Sequence, residues 1–238
     1  MTKTHLLGKI AFATGLVLAA SSSFAASAPA PKAFVARYQV LQGGQELGQA
    51  TLTLKATGNG EYVYANESKG TGGMAAMLGA TVDETSRFRW TATGPEAISY
   101  DYKMDASIKS KERHLKVADG KATVDTGKQT YAFAAVPGMV ERNILALTLG
   151  MALAQGKQEA TLPVAGKSSV EQQSFKVTGK ETVKVPAGSF NATKMERTDA
   201  DRGFVAWYVP GKYDLPVKLT QTEGSNSLEL QLVSYKAE

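Results

Sequence analysis

Two carboxylate pairs and His114 are the groups in this chain best placed to attempt bond-breaking chemistry. Glycoside hydrolysis needs two carboxyl groups across a sugar, one of them kept protonated by burial. Asp83 with Glu84 in VDETSRFRW, and Asp101 with Asp105 in ISYDYKMDASIK, could supply them. Adjacent strand residues point to opposite faces, so Asp83 and Glu84 do not line one cleft. Glu84 shares parity with Val82, Phe88 and Trp90 and is expected to point inward. It is the one candidate catalytic residue, set against the commoner fate of an inward acid, which is to be paired or to lie near a strand end. Asp101 and Asp105 flank Lys103 and read as a solvated stripe. Arg37 and Arg87 lie opposite their strands' apolar residues.

His114 sits on the charged strand SKERHLKV, and no Gly-x-Ser-x-Gly elbow accompanies it. A zinc site needs three or four nitrogen, sulfur or carboxylate ligands. With no cysteine in the chain, no metal site and no cofactor are expected. DTGKQT (125–130) and DADRG (199–203) lack the acidic spacing of a calcium loop. Gly70, Gly72 and Gly73 lack the strand, helix and lysine of a phosphate-binding loop. An enzyme is therefore the less favoured reading.

Binding is better served. In FVAWYVP (204–210) apolar residues occupy odd and even positions, the mark of a strand covered on both sides. MVERNILALTLGMALAQG (139–156) predicts a helix, with Pro137 before it and Gly156 at the position of a left-handed C-terminal cap. Between Ile144 and Ala154 only Thr148 is polar, and a helix apolar all round must be covered on most sides. Trp90, Leu145, Leu149, Met151, Trp207 and Tyr208 are accordingly the expected ligand-binding residues, facing an apolar interior.

The elements that must position these residues are strands. In ISYDYKMDASIK, Ile98, Tyr100, Tyr102, Met104, Ala106 and Ile108 share one face, and FVARYQV, TLTLK, VDETSRFRW, LPVKLTQ and SLELQLVSY alternate likewise. Turn signals separate them, among them Gly43-Gly44, Asn59-Gly60, Asp119-Gly120 and Pro186-Ala187-Gly188. The pattern predicts roughly eleven to thirteen strands, too many for one flat sheet. The fold class is all-β with one central helix: an antiparallel, partly open β-barrel or two-sheet sandwich. The helix packs on or plugs the open side, either as plain core or as a lid over a cavity. GGMAAMLG (72–79) is Met-rich and too short to predict a helix.

The chain opens with Lys3 and Lys9, an apolar run from Ile10 to Ala20 and small residues up to Ala25. This predicts a cleaved Sec-type signal peptide over 1–25, a flexible lead-in over 26–32, and a single β-rich domain over 33–238. The apolar run is shorter than the roughly 20 residues of a bilayer span, so no membrane span is expected after cleavage. The periplasm is the expected location. Net charge is +5 at pH 7, with both signs interleaved around Lys109, Lys111, Glu112 and Arg113. Nucleic-acid binding, which calls for a basic stripe with aromatic residues, is not expected.

Gly179-Lys180-Glu181-Thr182, Val185-Pro186-Ala187-Gly188-Ser189-Phe190, Trp207-Tyr208-Val209-Pro210 and Leu215-Pro216-Val217-Lys218-Leu219 carry a resemblance. Together with the ARYQV and GQATLTL strands at the start, SRFRW and the middle helix, they are similar to a family of exported bacterial proteins. That family is known as a domain of unknown function, number 3108. The chain departs from the family pattern at the helix entry, VPGMVERNILALTLG, where a more polar Asp-x-x-Ser type is usual. The resemblance spans residues 33 to 236 and implies an antiparallel, partly open barrel or sandwich in the periplasm, with no established chemistry.

Three functions stay open on these residues. The first is a non-enzymatic binding or carrier module for an apolar or amphipathic envelope ligand such as a lipid. By analogy of fold alone this is similar to the half-open barrels of periplasmic lipoprotein carriers. The second is a carbohydrate-active protein that binds or cleaves a glycan through Trp90, Trp207 and a carboxylate such as Glu84. The third is a structural envelope domain that pairs through a sheet edge.

Overall fold

Alternation fixes the strands of this chain, and tight turns fix their order. The computed structural model describes residues 29–200, 203–224 and 226–238. The signal peptide expected over 1–25 and the first part of the lead-in lie outside the described residues. The first strands are β1 (Phe34–Gln42), β2 (Gln45–Gly58), β3 (Glu61–Gly70), β4 (Thr81–Thr91) and β5 (Gly94–Ala106). Next come β6 (Lys109–Ala118), β7 (Lys121–Asp125), β8 (Thr130–Ala134), β9 (Glu159–Ala165) and β10 (Val170–Val185). The last are β11 (Gly188–Arg197), β12 (Phe204–Tyr208), β13 (Lys218–Glu223) and β14 (Asn226–Ala237). A short helix α1 (Gly73–Met77) links β3 to β4, and α2 (Leu145–Ala154) links β8 to β9.

One continuous 14-stranded antiparallel sheet carries every strand, in the order β8 to β1, then β14 down to β9. Two-residue turns with both residues at positive φ, such as Asn59-Gly60 and Asp119-Gly120, make successive strands neighbours. The sheet has two edges, β8 and β9, and strand pairing does not close it into a barrel. Met139 and Val140 instead join β5 to the β9 edge. The Met139 carbonyl accepts from the Ala97 amide of β5 at 2.8 Å, and Val140 makes a parallel bridge to Val164 of β9.

The helix lies in the curl of this sheet. Leu145, Leu147, Leu149, Met151 and Leu153 are buried in one cluster with Phe34, Tyr38, Phe175 and Tyr208. The helix is therefore core, with space left beside Ala146 and along Thr148, Met151 and Ala152. Gly150 makes the closest approach: a Cβ there would lie 2.0 Å from the Asp214 carbonyl oxygen. β6 to β8 fold over a smaller cluster formed by Tyr100, Leu115, Val124 and Met139.

Several sequence expectations need correction: the described residues form fourteen strands, not eleven to thirteen, and GGMAAMLG does hold a short helix, α1. The helix begins at Leu145, not Met139, because Met139 and Val140 are drawn out between β5 and β9 and Glu141 to Ile144 form the turn into α2. Gly156, with φ at +84°, ends it as expected. Ile98 does not continue the inward row: a bulge sets Arg87 opposite Ser99 but Phe88 opposite Ala97, so Ala97 takes the buried position. Ile108 lies in the turn after β5 and is 78% exposed.

Candidate functional site

Inward polar residues gather where β3, β4 and β5 meet the turn into α2. Glu84 on β4 is buried, as its parity predicts. Its Oε1 accepts from the Tyr100 hydroxyl at 2.6 Å and lies 3.3 Å from Arg142 Nε, while Oε2 accepts from Asn66 Nδ2 at 2.9 Å. Each partner comes from a different element: Tyr100 from β5, Asn66 from β3 and Arg142 from the turn. Burial, followed by the neighbouring Glu84 charge, pushes the Tyr100 phenol far above its usual range. Tyr100 therefore donates to Glu84 as a neutral hydroxyl.

A second buried acid stands beside the first. Glu141 is 1% exposed. Its Oε1 accepts from Ser86 Oγ at 2.6 Å, and its Oε2 accepts from the Asn143 amide at 2.7 Å. The Ile144 amide also donates to it, at 3.3 Å. The side chain so satisfies amides of the turn that leads into α2. Burial pushes its carboxyl up to about 7, against the opposing pull of Ser86 and the Asn143 amide.

Beside this cluster lies a cavity of about 330 Å³. Its apolar wall includes Leu52, Ala146, Leu219, Leu228 and Leu230, and its polar end is Asn66, Glu84, Tyr102, Arg142 and Asn143. The volume sits at the lower end of the roughly 300–1,000 Å³ of small-molecule sites. The Arg142 guanidinium stacks over Tyr102, 5.3 Å from the ring centre, and its side chain is 56% exposed. Arg142 thus meets Glu84 through its Nε edge and Tyr102 through a face, and the rest of the side chain is exposed.

The residues expected to bind a ligand are not brought to one place. Leu145 and Leu149 are packed in the core, and Tyr208 donates its hydroxyl to the Ala146 carbonyl at 2.9 Å. Trp90 and Met151 line a separate cavity of about 510 Å³ between the β4–β5 turn, Pro137 and β9. Trp207 sits on the opposite face of β12 from Tyr208. Its ring lies between Lys194 and Lys218, 5.9 and 5.1 Å from their ammonium groups, and its indole N–H donates to Glu181. On this face of β12, Trp207 is therefore covered by long polar side chains from neighbouring strands.

Of the other expected groups, Asp83, Asp101, Arg37 and Arg87 are exposed, and His114 pairs with Asp101 at 2.7 Å on the outer face. Among the described residues no group of three or more His, Cys, Asp or Glu side chains could hold a metal ion, and no helix is long and apolar enough to cross a membrane. Arg142, Asn143, Glu141 and Asn66 were not singled out from the sequence. Asn66 carries a signal, since it shares parity with Tyr62 and Tyr64 on β3. Glu141 and Arg142 carry none, because they read as the first turn of a continuous helix.

A family model described as a protein of unknown function (DUF3108) matches residues 37–233. Among solved structures, the chain is similar to a β-barrel-like protein of domain of unknown function DUF1849 from Brucella abortus. The two share 14% identity over 87% of this chain and 98% of that one, with a TM-score of 0.48. It is also similar to a DUF1089 family protein from Pseudomonas aeruginosa, at 13% identity over 75% of this chain and 88% of that one, with a TM-score of 0.38. No curated protein matches.

Proposed function

Since the chain belongs to the DUF3108 family, whose function is unknown, its role must be read from its own residues, and we propose that it is an exported, non-enzymatic carrier of a small amphipathic molecule. The leader-like residues 1–25 place it in the periplasm on this reading. The observation that carries the proposal is the cavity between Leu52, Leu219 and Leu230, with Arg142 at its polar end. An apolar chain fits the leucine wall, and an anionic or hydrogen-bonding head fits the exposed N–H groups of the guanidinium. Glu84 has a supporting role here: it holds Arg142 and Asn66 in position, and among the described residues no second carboxylate shares the cavity lining with it.

Titration with dodecanoate, followed by calorimetry and by native mass spectrometry of protein taken from its own envelope, tests this. Saturable one-to-one binding is expected, and Leu230→Trp should abolish it by filling the cavity while the melting temperature holds. Absence of binding to the unaltered protein, or undiminished binding to Leu230→Trp, would refute it.

A further inference from the structure

Among the described residues, three of the six exposed large hydrophobics sit together at one end of the sheet: Met74 (62% exposed), Met77 (78%) and Ile108 (78%). Met74 and Met77 belong to α1, which buries no residue. Ile108 is in the β5–β6 turn, which is tied to α1 because both the Ser107 amide and its hydroxyl donate to the Leu78 carbonyl at 2.9 Å. This tip stands at the cavity mouth, since Gly70, Ala75 and Ala80 of the same segment line the cavity. Leu228, also among the six, lines it too.

Charge is sorted across the sheet next to the tip. Register sets Tyr102 opposite Arg113, Met104 opposite Lys111 and Ala106 opposite Lys109. These three cations therefore lie on the cavity face of β6, in line with Arg142 over Tyr102. Within this paired stretch the acids Asp101, Asp105 and Glu112 fall on the other face, Asp101 opposite His114, Asp105 opposite Ser110 and Glu112 opposite Lys103. Among the described residues none of Lys109, Lys111 and Arg113 forms an ion pair, whereas Asp101 and Asp105 are paired with His114 and Lys103.

We propose that the cavity mouth docks on a lipid bilayer bearing anionic head groups, with Met74, Met77 and Ile108 entering the headgroup boundary and Lys109, Lys111 and Arg113 meeting phosphates. Apolar side chains beside a basic face are the composition of an interfacial anchor, and unpaired cations near an anionic leaflet add attraction that salt screens. Flexible methionines suit an irregular lipid surface. Docking goes beyond the carrier reading and rests on surface residues alone. In that reading it would set the cavity mouth against the membrane.

Vesicle flotation tests it, using protein purified after export. The protein should float with phosphatidylglycerol–phosphatidylcholine vesicles and remain below pure phosphatidylcholine vesicles, losing the association at high salt. The double variants Met74→Asp/Met77→Asp and Lys109→Glu/Lys111→Glu should each weaken flotation about tenfold or more, with dodecanoate binding in solution unchanged. Leu230→Trp should float like the unaltered protein, so failure of the cavity reading leaves this result standing. No flotation with anionic vesicles, equal flotation with neutral ones, or indifference to both double variants would overturn the proposal.

Discussion

Ser86 Oγ on β4 donates to Glu141 Oε1 at 2.6 Å, fastening the entry of the central helix to the middle of the sheet. Both residues are buried, at 0% and 1% exposure. An acid so deep, and so near a second acid, makes stability depend on pH.

Burial raises the Glu141 carboxyl from its ordinary value of 4.5 to about 7. Between those values the folded chain binds more proton than the unfolded one, so stability must fall as pH rises through the window. Full ionisation should remove on the order of 3 kcal/mol of stability. Chemical denaturation at pH 4.5 and 7 measures this. Glu141→Gln should start less stable, because its amide faces the Asn143 N–H, yet lose much less across the same window. A variant as steep as the unaltered protein would assign the slope elsewhere.

Removing Glu84 should be expensive, since it leaves Arg142, the Tyr100 hydroxyl and Asn66 without their acceptor. Glu84→Leu is expected to cost about 3–5 kcal/mol. A cycle with Tyr100→Phe should give a coupling of about 1–3 kcal/mol, as for a hydrogen bond to a charged group. Glu84→Gln should keep dodecanoate binding within a few-fold. Loss of a glycan-cleaving activity in that variant would point to the carbohydrate reading instead.

Leu147 is 1% exposed within the helix core. Leu147→Asp places an unpaired charge there and should destabilise by more than about 4 kcal/mol. A cooperative melt at the unaltered temperature would show that the helix is not enclosed.

Replacing glycine by alanine inside a helix ordinarily stabilises it by about 1 kcal/mol. Gly150→Ala should do the reverse, by about 1–3 kcal/mol, because its Cβ would meet the Asp214 carbonyl at 2.0 Å and the Tyr208 ring at 3.2 Å. A rise in melting temperature would mean that the 213–216 loop yields freely.

Much of the framework was legible from the chain. Alternation placed Phe34, Tyr38 and Tyr100 inward, and parity alone placed Glu84 with them. The lack of polar residues between Ile144 and Ala154 required an enclosed helix, and Gly156 ended it. These are local properties: they follow from a period of two or of 3.6 residues and from the conformations glycine allows.

The site was decided elsewhere. Glu141 and Arg142 fit a helical pattern, but the residues just before them are drawn out between β5 and β9. Extending Met139 and Val140 leaves the next residues to turn toward Asn66, Glu84 and Ser86. Trp207 looked interior because its strand is apolar on both faces, yet Glu181, Lys194 and Lys218 from adjoining strands shield it from water. Sequence determined which residues seek shelter from water. Tertiary structure decided what shelters them and where space is left, because a cavity and its polar end are made by side chains far apart in the chain that meet only when the sheet has curled.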